Sequence, residues 1–229
     1  MRDSDQPAAR GSAVSRLTTA RLSVYLRCLG ELESRGVRTV SSREMAEIFH
    51  LNSAQIRKDL AHFGEFGTRG VGYDVAGLRR SLVRVLGLDR EHRLVIVGAG
   101  NLGLALAGYR GFNTGEFRIA ALFDNDPRRI AALRTEGWPV HPVAEIGWIV
   151  AETGATIAVL AVPAAAGQEC LDQVARAGIR AVMSFVPVQL KVPDGVELST
   201  VDLKIQLEGL AFGLAEEGSR SGGGRRPSG

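Results

Sequence analysis

One stretch, Val97-Gly98-Ala99-Gly100-Asn101-Leu102-Gly103, restricts the fold more than any other part of the chain. It follows an apolar run, Leu94–Val97, and opens a helical pattern at Asn101–Leu102. Asp124 stands 21 residues after Gly103, at the end of the next apolar run. Glycines at this spacing ask for a strand, a tight turn and a helix in that order. Gly98 allows the turn, Gly100 lets the backbone approach a pyrophosphate, and Gly103 lets helix and strand pack closely. Ala99, Asn101 and Leu102 complete the loop, and free N–H groups at the helix start attract the anion. Asp124 would accept hydrogen bonds from adenosine ribose hydroxyls. Its charge would repel a 2′-phosphate, which favours NAD(H), while the neighbouring Arg128 and Arg129 leave the phosphorylated cofactor open.

The residues beyond this loop continue the pattern. Ile119–Phe123, Thr156–Val162 and Arg180–Phe185 read as further strands, with Leu102–Tyr109, Pro127–Glu136 and Ala165–Ala177 as helices between them. That alternation specifies a parallel sheet with right-handed crossovers. His141, between Pro139 and Pro142, falls in a loop or an edge strand. The last periodic segment, Val201 to Glu217, carries Leu203, Leu207, Leu210, Phe212 and Leu214, an apolar stripe that a second subunit could cover.

The first third reads differently. Ser15 to Arg35 has helical spacing and closes at Gly36. Ser41 with Glu44, and Asn52 with Gln55, each form a capping box before a short helix, and the two helices meet at His50-Leu51-Asn52. Gly64 to Tyr73 then holds four glycines and reads as a β-hairpin wing, before helical spacing returns from Val75 to Leu88. In a helix-turn-helix the second helix enters the major groove. On the helix starting near Ser53, Ala54, Arg57, Lys58 and Ala61 face away from Ile56, Leu60 and Phe63. Arg57 can bond bidentately to guanine, Lys58 can meet guanine or phosphate, and Gln55 and Ser53 are candidates for adenine or phosphate. Arg69, at the hairpin tip, would reach the adjacent minor groove.

Charge agrees with this division: residues 1–92 hold 15 Lys and Arg against 11 Asp and Glu, and the remainder 13 against 14. Cys28 and Cys170 are far apart with no partner spacing, so neither a metal site nor a disulfide framework is indicated. No apolar run reaches the ~18 residues of a membrane span, and no signal-peptide core is visible, so a cytoplasmic location is expected. The expected division is a loose segment 1–14, a winged helix-turn-helix domain 15–89, a Rossmann-like domain 90–200, a dimerisation helix 201–217 and a loose tail 218–229.

A dehydrogenase would need a proton donor or acceptor near the nicotinamide and a domain to hold substrate. Neither is apparent, so no catalytic residue is assigned and the nucleotide reads as a signal. Two other readings remain: an oxidoreductase that carries a winged helix, and a DNA-binding protein whose Rossmann domain serves only dimerisation.

From about Arg16 to Ala215 the chain resembles the Rex family of redox-sensing transcriptional repressors. The resemblance is carried by Tyr25-Leu26-Arg27, Val40-Ser41-Ser42, Gln55-Ile56-Arg57-Lys58-Asp59-Leu60, Phe63-Gly64, Gly67-Thr68-Arg69-Gly70-Val71-Gly72-Tyr73, Val97–Gly103, Phe123-Asp124-Asn125-Asp126-Pro127, Val162-Pro163, Pro187-Val188 and Val201-Asp202. It implies an α/β chain with a winged helix-turn-helix domain, a Rossmann-like parallel-sheet domain and a C-terminal helix swapped between the subunits of a homodimer. It further implies that operator DNA is bound when NADH is low, that NADH releases it, and that NAD+ competes while leaving the protein competent for DNA. Ser42 joins the DNA-binding set and Val162, Pro163 and Tyr109 the cofactor set on the same basis. An interdomain switch is implied at Arg27, Tyr109 and Asp202, where Asp202 would pair with either the Arg27 guanidinium or the Tyr109 hydroxyl. Arg110 departs from the proline expected after Tyr109 in many relatives.

Overall fold

The computed structural model describes residues 16–64, 66–68, 70–113 and 115–222. The chain divides into two units that meet between Arg90 and Glu91.

The first unit is helical with a small sheet. Leu22, Tyr25, Leu29 and Leu32 recur at helical spacing along α1 (Arg16–Ser34) and are buried together with Met45, Ile56, Leu60, Leu78 and Leu82. Strand β1 (Thr39–Val40) leads to α2 (Ser42–Phe49). The expected capping box is present there: the Glu44 N–H donates to Ser41 Oγ at 3.1 Å, and the Ser41 N–H donates to Glu44 Oε2 at 2.7 Å. His50 ends α2 in the left-handed region, at φ 53°, and α3 (Ser53–Phe63) begins after Asn52. The second capping box is only half formed. Asn52 Oδ1 accepts the Gln55 N–H at 2.9 Å, but the Gln55 side chain turns to Asp59 rather than back to the cap. Strands β2 (Gly67–Thr68) and β3 (Gly72–Asp74) form the hairpin, with β3 central and β1 on its other edge. Gly72, at φ 98°, passes so close to the Val40 carbonyl that a Cβ would lie 2.7 Å from its oxygen. Helix α4 (Val75–Val85) closes the unit against α1.

The second unit is a six-stranded parallel sheet. Its strands are β4 (His92–Val97), β5 (Phe117–Asp124), β6 (Val140–Pro142), β7 (Ile157–Leu160), β8 (Ala181–Ser184) and β9 (Glu197–Thr200), in spatial order β6-β5-β4-β7-β8-β9. Strand order reverses between β4 and β7, and in such sheets ligands bind outside the carboxyl ends at that point. Helices α5 (Asn101–Ala107), α6 (Pro127–Thr135), α7 (Ile146–Thr153) and α8 (Ala164–Arg176) connect the strands. Val95, Val97 and Phe123 pack in one cluster with α7 and α8, while Leu94, Ile96 and Leu122 pack in another with residues of α5 and α6. The sheet therefore has a core on each face.

Several elements differ from expectation. Helix α7 comes from Ile146, Trp148, Ile149 and Val150, a run too uniformly apolar to show a helical period. Strand β9 is an edge strand rich in exposed polar groups and shows no apolar run. His141, by contrast, lies as expected in an edge strand, β6, at the opposite side of the sheet. Tyr109 is outside α5, which ends at Ala107, and precedes a short 3-10 turn at Arg110–Phe112. The last helix, α9 (Leu203–Gly222), continues into the stretch expected to be loose; residues 1–14 lie outside the described residues.

Replacing Ser41 with Ala removes one of two reciprocal cap bonds and is expected to destabilise the first unit by about 1 kcal/mol. Amide exchange of α2 in the full chain reads this, and unchanged protection there would contradict the assignment.

Candidate DNA-reading and nucleotide sites

In the first unit α3 presents Ala54, Arg57, Lys58 and Ala61 to solvent while Ile56 and Leu60 are buried beneath them. Ser53 and Gln55 are half-buried. Arg57 Nη1 donates to Ser42 Oγ at 3.1 Å, which joins the side chain of α3 to the first turn of α2. A cleft of about 1100 Å³ runs between this pair and the hairpin, lined by Ser42, Arg43, Arg57, Ala61, Thr68 and Tyr73 among others. Arg69 lies outside the described residues.

Asp59, quoted in the sequence only as part of a motif, organises the helix from below. Its carboxylate is 4% exposed and accepts from Arg21 Nε at 2.6 Å, Arg21 Nη2 at 2.8 Å, the Tyr25 hydroxyl at 2.9 Å and Gln55 Nε2 at 2.7 Å. The Arg21 guanidinium is the largest influence. With Gln55 and Tyr25 it outweighs burial and holds the Asp59 carboxyl down to about 2. Burial first, then Asp59, pushes the Tyr25 phenol up. The spacing of Arg21, Tyr25 and Asp59 carried the signal, because an acid on the apolar face of a helix needs a partner.

In the second unit Gly98 adopts φ 102°, and a Cβ there would overlap the Ala161 carbonyl. A Cβ on Gly103 would overlap the Gly98 carbonyl, so both glycines are required by close approach. Asp124, at the end of β5, is 7% exposed. Its Oδ2 accepts the Ala99 N–H and Arg129 Nη1, each at 3.0 Å, and Oδ1 accepts the Asp126 N–H at 2.9 Å. Burial opposes the charge, yet the Asp126 N–H, Arg129 and the Ala99 N–H together hold the carboxyl below its usual range. A carboxylate has about four acceptor positions, so capacity for a hydroxyl remains.

A cavity of about 330 Å³ opens at the carboxyl ends of β4, β5 and β7, lined by Gly98, Gly100, Asn101, Leu102, Asp124, Val162 and Pro163. Ala99 and Gly103 sit behind it: the Ala99 N–H is already held by Asp124, and Gly103 packs on the loop. Tyr109 is not in its lining and is 58% exposed, its ring edge-on to Phe112 at 5.5 Å. Sequence reasoning missed Asn125, Val143, Ala166 and Cys170, which also line the cavity. Asn125 directly follows Asp124 in the loop before α6, within a motif already quoted, whereas Val143, between β6 and α7, and Ala166 and Cys170, on α8, are placed by topology and not by any local motif. Arg129, noted only as a neighbouring charge, is part of the site.

Of the three switch residues, Arg27 is exposed on α1. Asp202 caps α9, its Oδ1 accepting the N–H groups of Lys204 at 2.9 Å and Ile205 at 3.3 Å. No hydrogen bond joins Tyr109 and Asp202 among the described residues. Among the described residues no His, Cys, Asp and Glu cluster could hold a metal ion.

A winged helix-turn-helix joined to a doubly wound sheet with a glycine-rich loop at its switch point defines a class: DNA-binding regulators that carry a nucleotide-binding domain. Residues 13–61 match the family described as "Putative DNA-binding protein N-terminus", and residues 89–188 match the family described as "CoA binding domain". The redox-sensing transcriptional repressor Rex of Streptomyces coelicolor is 46% identical over 207 residues, covering 90% of this chain and 80% of its own length. The Rex of Pelotomaculum thermopropionicum is 46% identical over 209 residues, covering 91% and 98%. Among solved structures, RSP in complex with β-NAD+ and operator DNA superposes with a TM-score of 0.85 at 37% identity, covering 93% of this chain and 100% of that one. RSP in complex with β-NADH gives 0.79 at 36% identity, covering 92% and 98%. The chain belongs to the Rex family of redox-sensing transcriptional repressors.

The depressed Asp59 carboxyl has a consequence for stability. An unfolded Asp titrates near ~3.9, so the contribution of this ionised group is complete above about pH 4 and is lost as pH falls towards 2. Replacing Asp59 with Asn is expected to cost about 2 kcal/mol at pH 6. The difference from the parent protein should shrink below pH 4, as read by protection of α3 amides; a difference constant with pH would contradict the account.

Proposed function

We propose that this protein binds operator DNA through α3 and the hairpin when NADH is low and releases it when NADH occupies the glycine loop, so that it represses genes of respiration and NADH reoxidation according to the NADH/NAD+ ratio. The observation that carries the reading is the pairing, in one chain, of the outward basic face of α3 with a glycine loop anchored on Asp124. Gly98, Gly100, Asn101 and Leu102 would hold the pyrophosphate, and Asp124 the adenosine ribose, with Val162 and Pro163 beyond them. Arg57, Lys58, Ser42, Ser53, Ala54, Gln55 and Arg69 form the DNA-reading set. We assign residues 15–89 to the reader, 90–200 to the sensor and 201–217 to dimerisation, and place the protein in the cytoplasm. No helix among the described residues is long and apolar enough to cross a membrane.

The dimer reading rests on α9. Leu203, Ile205, Leu207, Leu210, Phe212 and Leu214 are each 60–71% exposed in the single chain, and burying a side chain of this size contributes about 1.5–3 kcal/mol. A second copy that exchanges this helix would cover them. Asp202, at its first turn, is then carried with the exchanged helix, and its choice between Arg27 and Tyr109 would be biased by whether the nicotinamide is neutral or cationic.

Operator binding by gel shift with NADH, NAD+ and NADPH titrated, beside an assay for cofactor turnover, tests the reading. NADH should release DNA without being consumed; a complex that survives saturating NADH would exclude the sensor, and turnover would favour the oxidoreductase. Asp124→Ala should blunt the NADH response at least tenfold and spare DNA affinity, whereas Arg57→Ala should weaken operator binding roughly 5- to 150-fold and leave the nucleotide site intact. Leu207→Asp with Leu210→Asp should shift the protein from dimer to monomer in sedimentation equilibrium; an unchanged mass would remove α9 from the interface.

A further inference from the structure

Asp59 is the one acidic residue of α3, and it faces inward. Three of its four hydrogen bonds come from Arg21 and Tyr25 on α1 and tie α3 to that helix. The fourth comes from Gln55, one turn earlier on α3 itself, through Nε2 at 2.7 Å. Together they fill the about four acceptor positions of a carboxylate.

An ionised carboxylate only accepts hydrogen bonds, and this constrains Gln55. A primary amide alone can flip, exchanging its oxygen and nitrogen ends. Against Asp59 only the orientation with Nε2 inward forms a bond, so Oε1 is turned away from Asp59. Gln55 then keeps one acceptor and its second N–H for a partner outside the helix. That acceptor–donor pair is the complement of the N6–H donor and N7 acceptor that adenine shows in the major groove.

We propose that Asp59 is a positioning residue that fixes the amide orientation of Gln55 so that Gln55 reads an adenine edge in the operator. The proposal rests on the reading of α3 as the DNA-recognition helix. A purely architectural Asp59 would hold α3 on α1 with no effect on which base is preferred, and the two roles separate by experiment.

Full-length protein is titrated by fluorescence anisotropy against operators in which each adenine in turn is replaced by 7-deazaadenine, which lacks the N7 acceptor. The parent protein should lose roughly 5- to 150-fold at one adenine per half-site. Gln55→Ala should abolish the sensitivity at that position alone. Asp59→Asn, which offers donors as well as an acceptor, should reduce the same sensitivity and leave that of other positions, and the double variant should lose nothing further there. If no adenine shows a penalty that Gln55→Ala removes, or if Asp59→Asn weakens every operator equally, the proposal is overturned. Unchanged operator binding in both Gln55→Ala and Arg57→Ala would instead overturn the assignment of α3. Should Asp59→Asn fail to fold, the side-chain amide of Gln55 in the parent protein decides, identified by its absence from the spectrum of Gln55→Ala. A slowly exchanging Nε2 proton supports fixation, and exchange at the rate of a free amide overturns it.

Discussion

The approach of Gly103 to the Gly98 carbonyl governs the second unit. With no Cβ on either residue, α5 begins directly against the end of β4, and the Gly98 N–H donates to the Phe123 carbonyl at 2.8 Å. Asp124 then fixes that loop from the neighbouring strand through the Ala99 N–H, and Arg129 balances the charge at 3.0 Å. The cavity is thus defined by backbone geometry first and by one carboxylate second. The buried acid thus sits beside a half-exposed guanidinium.

A similar device recurs in the first unit. Asp59 and Asp124 are both carboxylates at least nine-tenths buried, both saturated or nearly so by N–H and O–H donors, and both paired with arginine. Breaking a buried pair by removing one partner is costly, whereas its presence adds little to stability over a well-packed apolar substitute. Such groups are better understood as setting orientation: Asp59 that of α3 on α1, Asp124 that of the glycine loop on β5.

Much of this was legible in the sequence, for reasons that differ by element. The glycine loop and Asp124 were readable because each glycine answers a local steric demand, and α1 because Leu22, Tyr25, Leu29 and Leu32 repeat along one face. The capping box at Ser41 was readable because both of its partners lie within four residues. Helix α7 and strand β9 were not: the former is too apolar to show a period and the latter too polar to show a run. Val143, just after β6, and Ala166 and Cys170, on α8, reach the cavity only through the packing of their elements on the sheet, which no local pattern encodes. Gln55 misled for a similar reason, since its natural capping partner lost to a carboxylate one turn further along the helix.

If NADH releases operator DNA, the nucleotide site and the DNA site share a single conformational equilibrium. Linkage makes this reciprocal: whatever factor NADH imposes on operator affinity, the operator must impose on NADH affinity. Isothermal titration of NADH into the free protein and into the protein saturated with operator DNA measures that factor directly. NADH binding should be weaker in the presence of operator, by the same ratio as the loss of operator affinity in saturating NADH. Equal NADH affinities in the two titrations would contradict it.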